Sequence, residues 1–144
     1  KAKRFIAGKV ILMSGTPRAD TRPLSPHLQI WRPHLTMAAS ITHRITGVAL
    51  YFGTFLITAW IVALATGAEC YTTIEGLVTA WYGQIIMYLW AVAVLYHFAN
   101  GIRHLLWDGP NIGFTPKTAS AVSLFNYVFA FVGAAAIMAA TIWL

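Results

Sequence analysis

Residues 76–108 read GLVTAWYGQIIMYLWAVAVLYHFANGIRHLLWD. No Asp, Glu, Lys or Arg occurs between Gly76 and Ile102. About 20 apolar residues in a helix cross the roughly 30 Å of bilayer hydrocarbon, so this stretch is long enough to span. Residues 45–68 and 118–144 are equally free of charge. The 144-residue chain is 58% hydrophobic and only 10% charged, and a soluble domain of that size needs far more charge to cover its surface. The sequence therefore reads as an all-α integral membrane protein with three transmembrane helices and a single domain.

Residues 1–34 form a polar segment interrupted by Pro17, Pro23, Pro26 and Pro33. Proline removes a backbone donor and disfavours helix at the residue before it, so this segment is expected to be extended or irregular. Trp31 is expected at the membrane interface. The sequence opens on Lys1 rather than methionine, and an upstream segment is expected. Residues 35–144 make up the membrane domain, with helices at about 35–66, 77–107 and 118–143. Gly67 stops the first helix. Asp108-Gly109-Pro110-Asn111 breaks the chain after the second. Trp81 and Tyr82 mark the outer interface, Trp107 the inner one, and Trp143 an interface at the end. Gly47, Gly53, Gly133 and the run Ala134-Ala135-Ala136 are small enough for helices to approach closely, which matters where lipid supplies no hydrophobic drive between them.

The charges that remain are one-sided. Lys1, Lys3, Arg4, Lys9, Arg18, Arg22, Arg32 and Arg44 precede the apolar core of the first span, while Arg103 and Lys117 flank the second connection. The first connection holds Glu69 and Glu75 and no basic residue. With three crossings, every basic residue falls on one side, as the positive-inside rule requires. The N-terminus is thus expected in the cytoplasm or matrix and the C-terminus outside. The net charge of +6 is a topology signal, and no nucleic-acid partner is expected. The lone cysteine, Cys70, can neither close an internal disulfide nor hold an iron–sulfur cluster by itself.

Within the quoted stretch, His97, Gly101 and His104 lie on one stripe of helix, since steps of four and three residues make two turns. An imidazole at that depth has two polar nitrogens to satisfy, and an intramembrane ionisable residue is a candidate site. Two readings stand for His97: a ligand to haem iron, or a histidine bonded to a carbonyl or hydroxyl of a neighbouring helix. Gly101 would let a flat macrocycle approach the backbone. His104 and Arg103 could pair with its propionates, although Arg103 could equally be a snorkelling interface residue. In the first span, Ser40, His43, Arg44 and Gly47 share one face. The fork of Arg44 and the hydroxyl of Ser40 suit a quinone head group; a topology charge and a packing residue would serve as well. If Arg44 and Arg103 mark the same depth, His43 is level with His104 and not with His97. It would then be a poor second axial ligand, and that ligand should come from another chain.

These residues also carry a family likeness. Arg22-Pro23-Leu24-Ser25-Pro26-His27-Leu28, then Ser40-Ile41-x-His43-Arg44-x-x-Gly47, then His97-x-x-x-Gly101-Ile102-Arg103-His104-Leu105-x-x-Asp108 resembles the cytochrome b membrane anchors of succinate dehydrogenase, respiratory complex II, in their α-proteobacterial and mitochondrial branch. The resemblance implies a chain forming half of a two-subunit helix bundle. That bundle binds haem b, docks an iron–sulfur subunit carrying a flavoprotein subunit, and passes electrons from succinate to ubiquinone. It implies that His97 is the axial haem ligand, with the second ligand from the partner anchor subunit. It implies that His43, Arg44 and His104 lie near the propionates, with Gly47 and Gly101 in the same haem-side motifs, and that Ser40 and Arg44 belong to the ubiquinone site. One departure is Pro33, where mitochondrial relatives carry tryptophan near the quinone; Trp31 is nearby. The chain has no flavin motif or cysteine cluster, so it is not expected to oxidise succinate alone. A bacterial plasma membrane and a mitochondrial inner membrane both fit. A haem-free anchor and a quinol:fumarate reductase anchor would share this fold. A small channel or transporter subunit would need a polar path through the bilayer, and the third span offers only Ser120, Ser123, Asn126 and Thr141.

Overall fold

A computed structural model describes residues 32–143. Four helices follow one another: α1 (Leu35–Thr66), α2 (Ala68–Thr79), α3 (Trp81–Asp108) and α4 (Pro116–Trp143). No strand occurs among the described residues, so the fold is all-α. Three of the helices, Leu35–Thr66, Trp81–Asp108 and Pro116–Thr141, are long and apolar enough to cross a membrane. Residues 1–31, including Trp31, and the side chain of Trp143 lie outside the described part.

The ends of the helices follow local chemistry. His34 caps α1, its Nδ1 accepting from the Thr36 backbone N–H at 3.4 Å. Gly67 ends α1 at φ 133°, a conformation that a side chain would strain, and its N–H returns to Ala63 O at 3.3 Å. Thr115 precedes α4 and takes the Thr118 N–H on its hydroxyl at 3.3 Å. Pro116 then occupies the first helical position, where its missing donor costs nothing. The third span therefore starts at Pro116, two residues before the expected Thr118.

The second span departs further from expectation. It begins at Trp81, not near Leu77, because Ala80 is extended (φ −60°, ψ 151°) and breaks the helix. The residues before it are not a loop: they form α2, which carries Glu69 and Glu75. At about 18 Å, α2 is too short to cross the bilayer.

α3 packs against both α1 and α4, and α1 also meets α4. The interior is built from small and polar residues: Ala39, Ala93, Ala130 and Ala134 with Thr46, Asn100, Ser123 and Asn126. Large apolar side chains such as Phe52, Phe125 and Val132 face outward. A water-soluble protein would reverse this arrangement. Lipid removes the reward for hiding leucine, so close backbone approach and interhelical hydrogen bonds hold the bundle. Gly53 is such a contact. Its missing Cβ leaves the space taken by the Trp90 indole, whose buried Nε1 has no hydrogen-bond partner among the described residues. Gly53→Ala would drive a methyl into that ring and is expected to cost about 1–3 kcal/mol, as overpacking does. A lowered thermal midpoint in detergent checks it, and an unchanged midpoint would mean that the indole swings aside freely.

Candidate functional site

α1 and α3 meet where Gly47 has no side chain. A Cβ there would sit 3.1 Å from His97 Cε1, so Gly47 lets the His97 ring lie against α1. Nδ1 of His97 then reaches two groups on α1: the His43 carbonyl at 3.1 Å and the Thr46 hydroxyl at 3.2 Å. The Thr46 hydroxyl donates its own proton to the His43 carbonyl at 2.9 Å. The His43 carbonyl can only accept, so the bond to it assigns the proton to Nδ1. In the neutral ring this fixes the tautomer, leaving the lone pair on Nε2. The sequence left two readings for His97, and a bond to the neighbouring helix is present. It uses Nδ1 and leaves Nε2 available.

His43 stacks on His97, with ring centroids 4.0 Å apart and planes 20° apart. His104 follows at 5.2 Å from His43, and Trp107 sits edge-on to His104 at 5.3 Å. His43 therefore lies between His97 and His104 and nearer to His97, contrary to the depth reading. Stacked face to face, His43 and His97 do not point their nitrogens at one atom from opposite sides. His43 Nε2 is buried and has no partner among the described residues. The Gly101 face is open, with no atom within 4 Å of a hypothetical Cβ. Among the described residues no three His, Cys, Asp or Glu side chains form a metal-binding group.

Ser40 is half-buried and Arg44 is exposed. Neither makes a side-chain hydrogen bond to another described residue, so both keep their donors. Arg103 is 5% exposed and donates through Nη1 to Asn100 Oδ1 at 3.2 Å, while its Nε and Nη2 are buried with no partner among the described residues. Its guanidinium also lies over the Trp107 ring, 4.1 Å from the centroid. Asn126 of α4 donates to the same Asn100 oxygen at 3.3 Å.

Sequence reasoning missed Thr46, Tyr96, Asn100 and Tyr127. Tyr96 is 1% exposed and donates to Ala39 O at 2.9 Å. The Tyr127 and Thr42 hydroxyls lie 2.8 Å apart. An asparagine or a tyrosine within an apolar span is the signal that would have found Asn100 and Tyr96. A separate cavity of about 690 Å³ lies between α1, α2 and α3, lined by residues such as Leu56, Trp60, Leu77 and Trp90. It contains none of the site residues named from sequence.

Comparison with known proteins gives these residues a context. Residues 18–137 match the family described as succinate dehydrogenase/fumarate reductase transmembrane subunit. A succinate dehydrogenase cytochrome b556 subunit from Paracoccus denitrificans is 45% identical over 87 residues, covering 60% of this chain and 67% of that one. The Rickettsia bellii protein of the same name is 37% identical over 107 residues, 70% and 78% of the two chains. A cytochrome b560 subunit from the red alga Chondrus crispus is 39% identical over 98 residues, 63% and 74%. With three apolar spanning helices and a match over most of its length, this membrane protein belongs to the succinate dehydrogenase/fumarate reductase transmembrane subunit family.

Proposed function

We propose that this chain is the haem-carrying cytochrome b anchor of a succinate:ubiquinone oxidoreductase, and that it supplies part of the ubiquinone-reduction site. The observation that carries this reading is the His97 ring. Its Nδ1–H is committed to α1, and its Nε2 lone pair is left for a metal, the arrangement by which proteins orient an imidazole ligand. The surroundings fit a haem: the open face at Gly101 admits a flat ring, and the unpaired Nε2 of His43, with His104 beyond it, offers donors to propionates. Bound there, haem b supplies one-electron transfer chemistry. A second membrane-anchor subunit would complete the haem site.

Ser40 and Arg44 hold one carbonyl of ubiquinone. The cationic fork of Arg44 favours the oxygen that becomes more negative on reduction. Reduction consumes two protons, which enter from the inner side. The relatives' names point to succinate as the electron source, so an iron–sulfur subunit and a flavoprotein subunit complete the assembly, with this chain holding no catalytic centre of its own. The basic residues place the N-terminus and the α3–α4 connection in the cytoplasm or matrix, in a bacterial plasma membrane or a mitochondrial inner membrane.

The test is co-purification of the whole complex followed by optical spectroscopy. Dithionite reduction is expected to produce b-type Soret and α bands at one haem per copy of this chain. A complex that assembles and reduces ubiquinone with no such bands would make the chain a haem-free anchor.

A further inference from the structure

α1 is apolar on its inward and outward faces alike: Ala39 is fully buried, while Ile41 and Ile45 are more than half exposed. In lipid, neither face gains by turning inward, so apolar packing alone does not fix the rotation of this helix. Polar contacts do. The Tyr96 hydroxyl from α3 donates to Ala39 O at 2.9 Å. The Tyr127 hydroxyl from α4 bonds the Thr42 hydroxyl at 2.8 Å. The two tyrosine rings lie against each other, centroids 4.7 Å apart. Ala39 and Thr42 bracket Ser40, and both point to the core. Ser40 and Arg44 lie about 100–140° around the helix from Ala39 at roughly 100° per residue. Any turn of α1 about its axis redirects both.

We infer that Tyr96 and Tyr127 are positioning residues for the quinone-binding face of α1, setting the rotation that presents Ser40 and Arg44. This rests on the ubiquinone reading above. Tyr96 also directly precedes His97, so the same strap ties the turn bearing Ser40 to the helix bearing the histidine.

The experiment uses the whole complex with Tyr96→Phe, Tyr127→Phe and Thr42→Val, each of which removes a hydroxyl and keeps the bulk. Each is expected to raise the ubiquinone KM roughly three- to tenfold, the range of one neutral hydrogen bond, while haem content and succinate oxidation by a soluble artificial acceptor stay normal. Thr42→Val and Tyr127→Phe break the same bond, so their double variant is expected to match either single. Tyr88→Phe is the control. It removes a comparable strap, from the Tyr88 hydroxyl to Phe131 O at 3.3 Å, and leaves the KM unchanged. A KM within twofold of wild type in Tyr96→Phe and Tyr127→Phe, with a raised KM in Arg44→Ala, overturns this inference alone. An unchanged KM in Arg44→Ala overturns the quinone reading and this inference with it. Loss of assembly or haem in the phenylalanine variants makes the straps structural and also overturns it.

Discussion

Replacing His97 with alanine is expected to remove the b-type bands from the purified complex, with haem content falling at least tenfold. His97 Nδ1 is committed to α1 and its Nε2 is left free to ligate. His43 is turned face-on to His97, and His104 lies about 10 Å further along the helix axis. Succinate oxidation by a soluble acceptor should survive, because this chain carries no flavin or iron–sulfur motif. A variant that keeps full haem content and an unshifted spectrum would assign the iron to other residues. The bonds from His97 Nδ1 to the His43 carbonyl and the Thr46 hydroxyl, 3.1 and 3.2 Å, predict a graded companion. Thr46→Val leaves the carbonyl to hold the ring and should weaken haem retention less than His97→Ala does. Support groups of this kind typically change metal affinity by about 10–100-fold.

Much of this could be read from the sequence because lipid simplifies the problem. Three stretches without charge suffice to locate three spans, and α1, α3 and α4 lie on them. α2 was not legible. Twelve residues carrying two glutamates and a glycine look like a loop, and only Ala80 separates α2 from the span that follows. The histidine row was half legible. Helical spacing aligned His97, Gly101 and His104, but the depth of His43 was set by assuming that Arg44 and Arg103 mark one level. An arginine stem is long enough to reach an interface from several Cα depths, so the assumption has no physical force. The bond from His97 Nδ1 to the His43 carbonyl shows how far the levels differ. Arg103 was grouped with His104 because the two are adjacent in sequence. Adjacent residues on a helix face about 100° apart, and one nitrogen of Arg103 bonds Asn100, whose oxygen also takes a bond from Asn126 of α4. Asn100 is easily passed over because a count of charges ignores amides, whereas Asn126 is visible only as one polar residue of the third span. Once seen, Asn126 is spent on helix contact, as is Ser123, which donates to Ala119 O at 2.7 Å. Neither lines a path for a transported solute.

Arg44→Ala is expected to produce the largest change in quinone chemistry, raising the ubiquinone KM by about 10–100-fold or stopping reduction while the haem spectrum stays normal. Charge-assisted hydrogen bonds contribute about 1.5–3 kcal/mol, which corresponds to that range. Two features of Arg44 make this expectation specific to a ligand rather than to folding. It is exposed, so its loss leaves no buried cavity, and it makes no hydrogen bond to another described residue that the substitution would orphan. Arg103 is the counter-case: it is buried and bonded to Asn100, so its removal should disturb the α3–α4 packing and haem together. Arg44→Lys separates charge from geometry. Lysine keeps the charge and loses the planar fork, so a bidentate contact predicts a KM between those of wild type and alanine, whereas a simple charge effect predicts near-normal kinetics. Salt provides the remaining arm. An exposed charge that only steers the complex or marks topology is screened within about 8–10 Å at physiological ionic strength, and its effect should fade as salt rises. A guanidinium in contact with a quinone oxygen in a dry site should keep its effect at high salt. Normal ubiquinone kinetics in Arg44→Ala at every salt concentration would leave Arg44 as a topology charge and remove this chain's main donor from the quinone site.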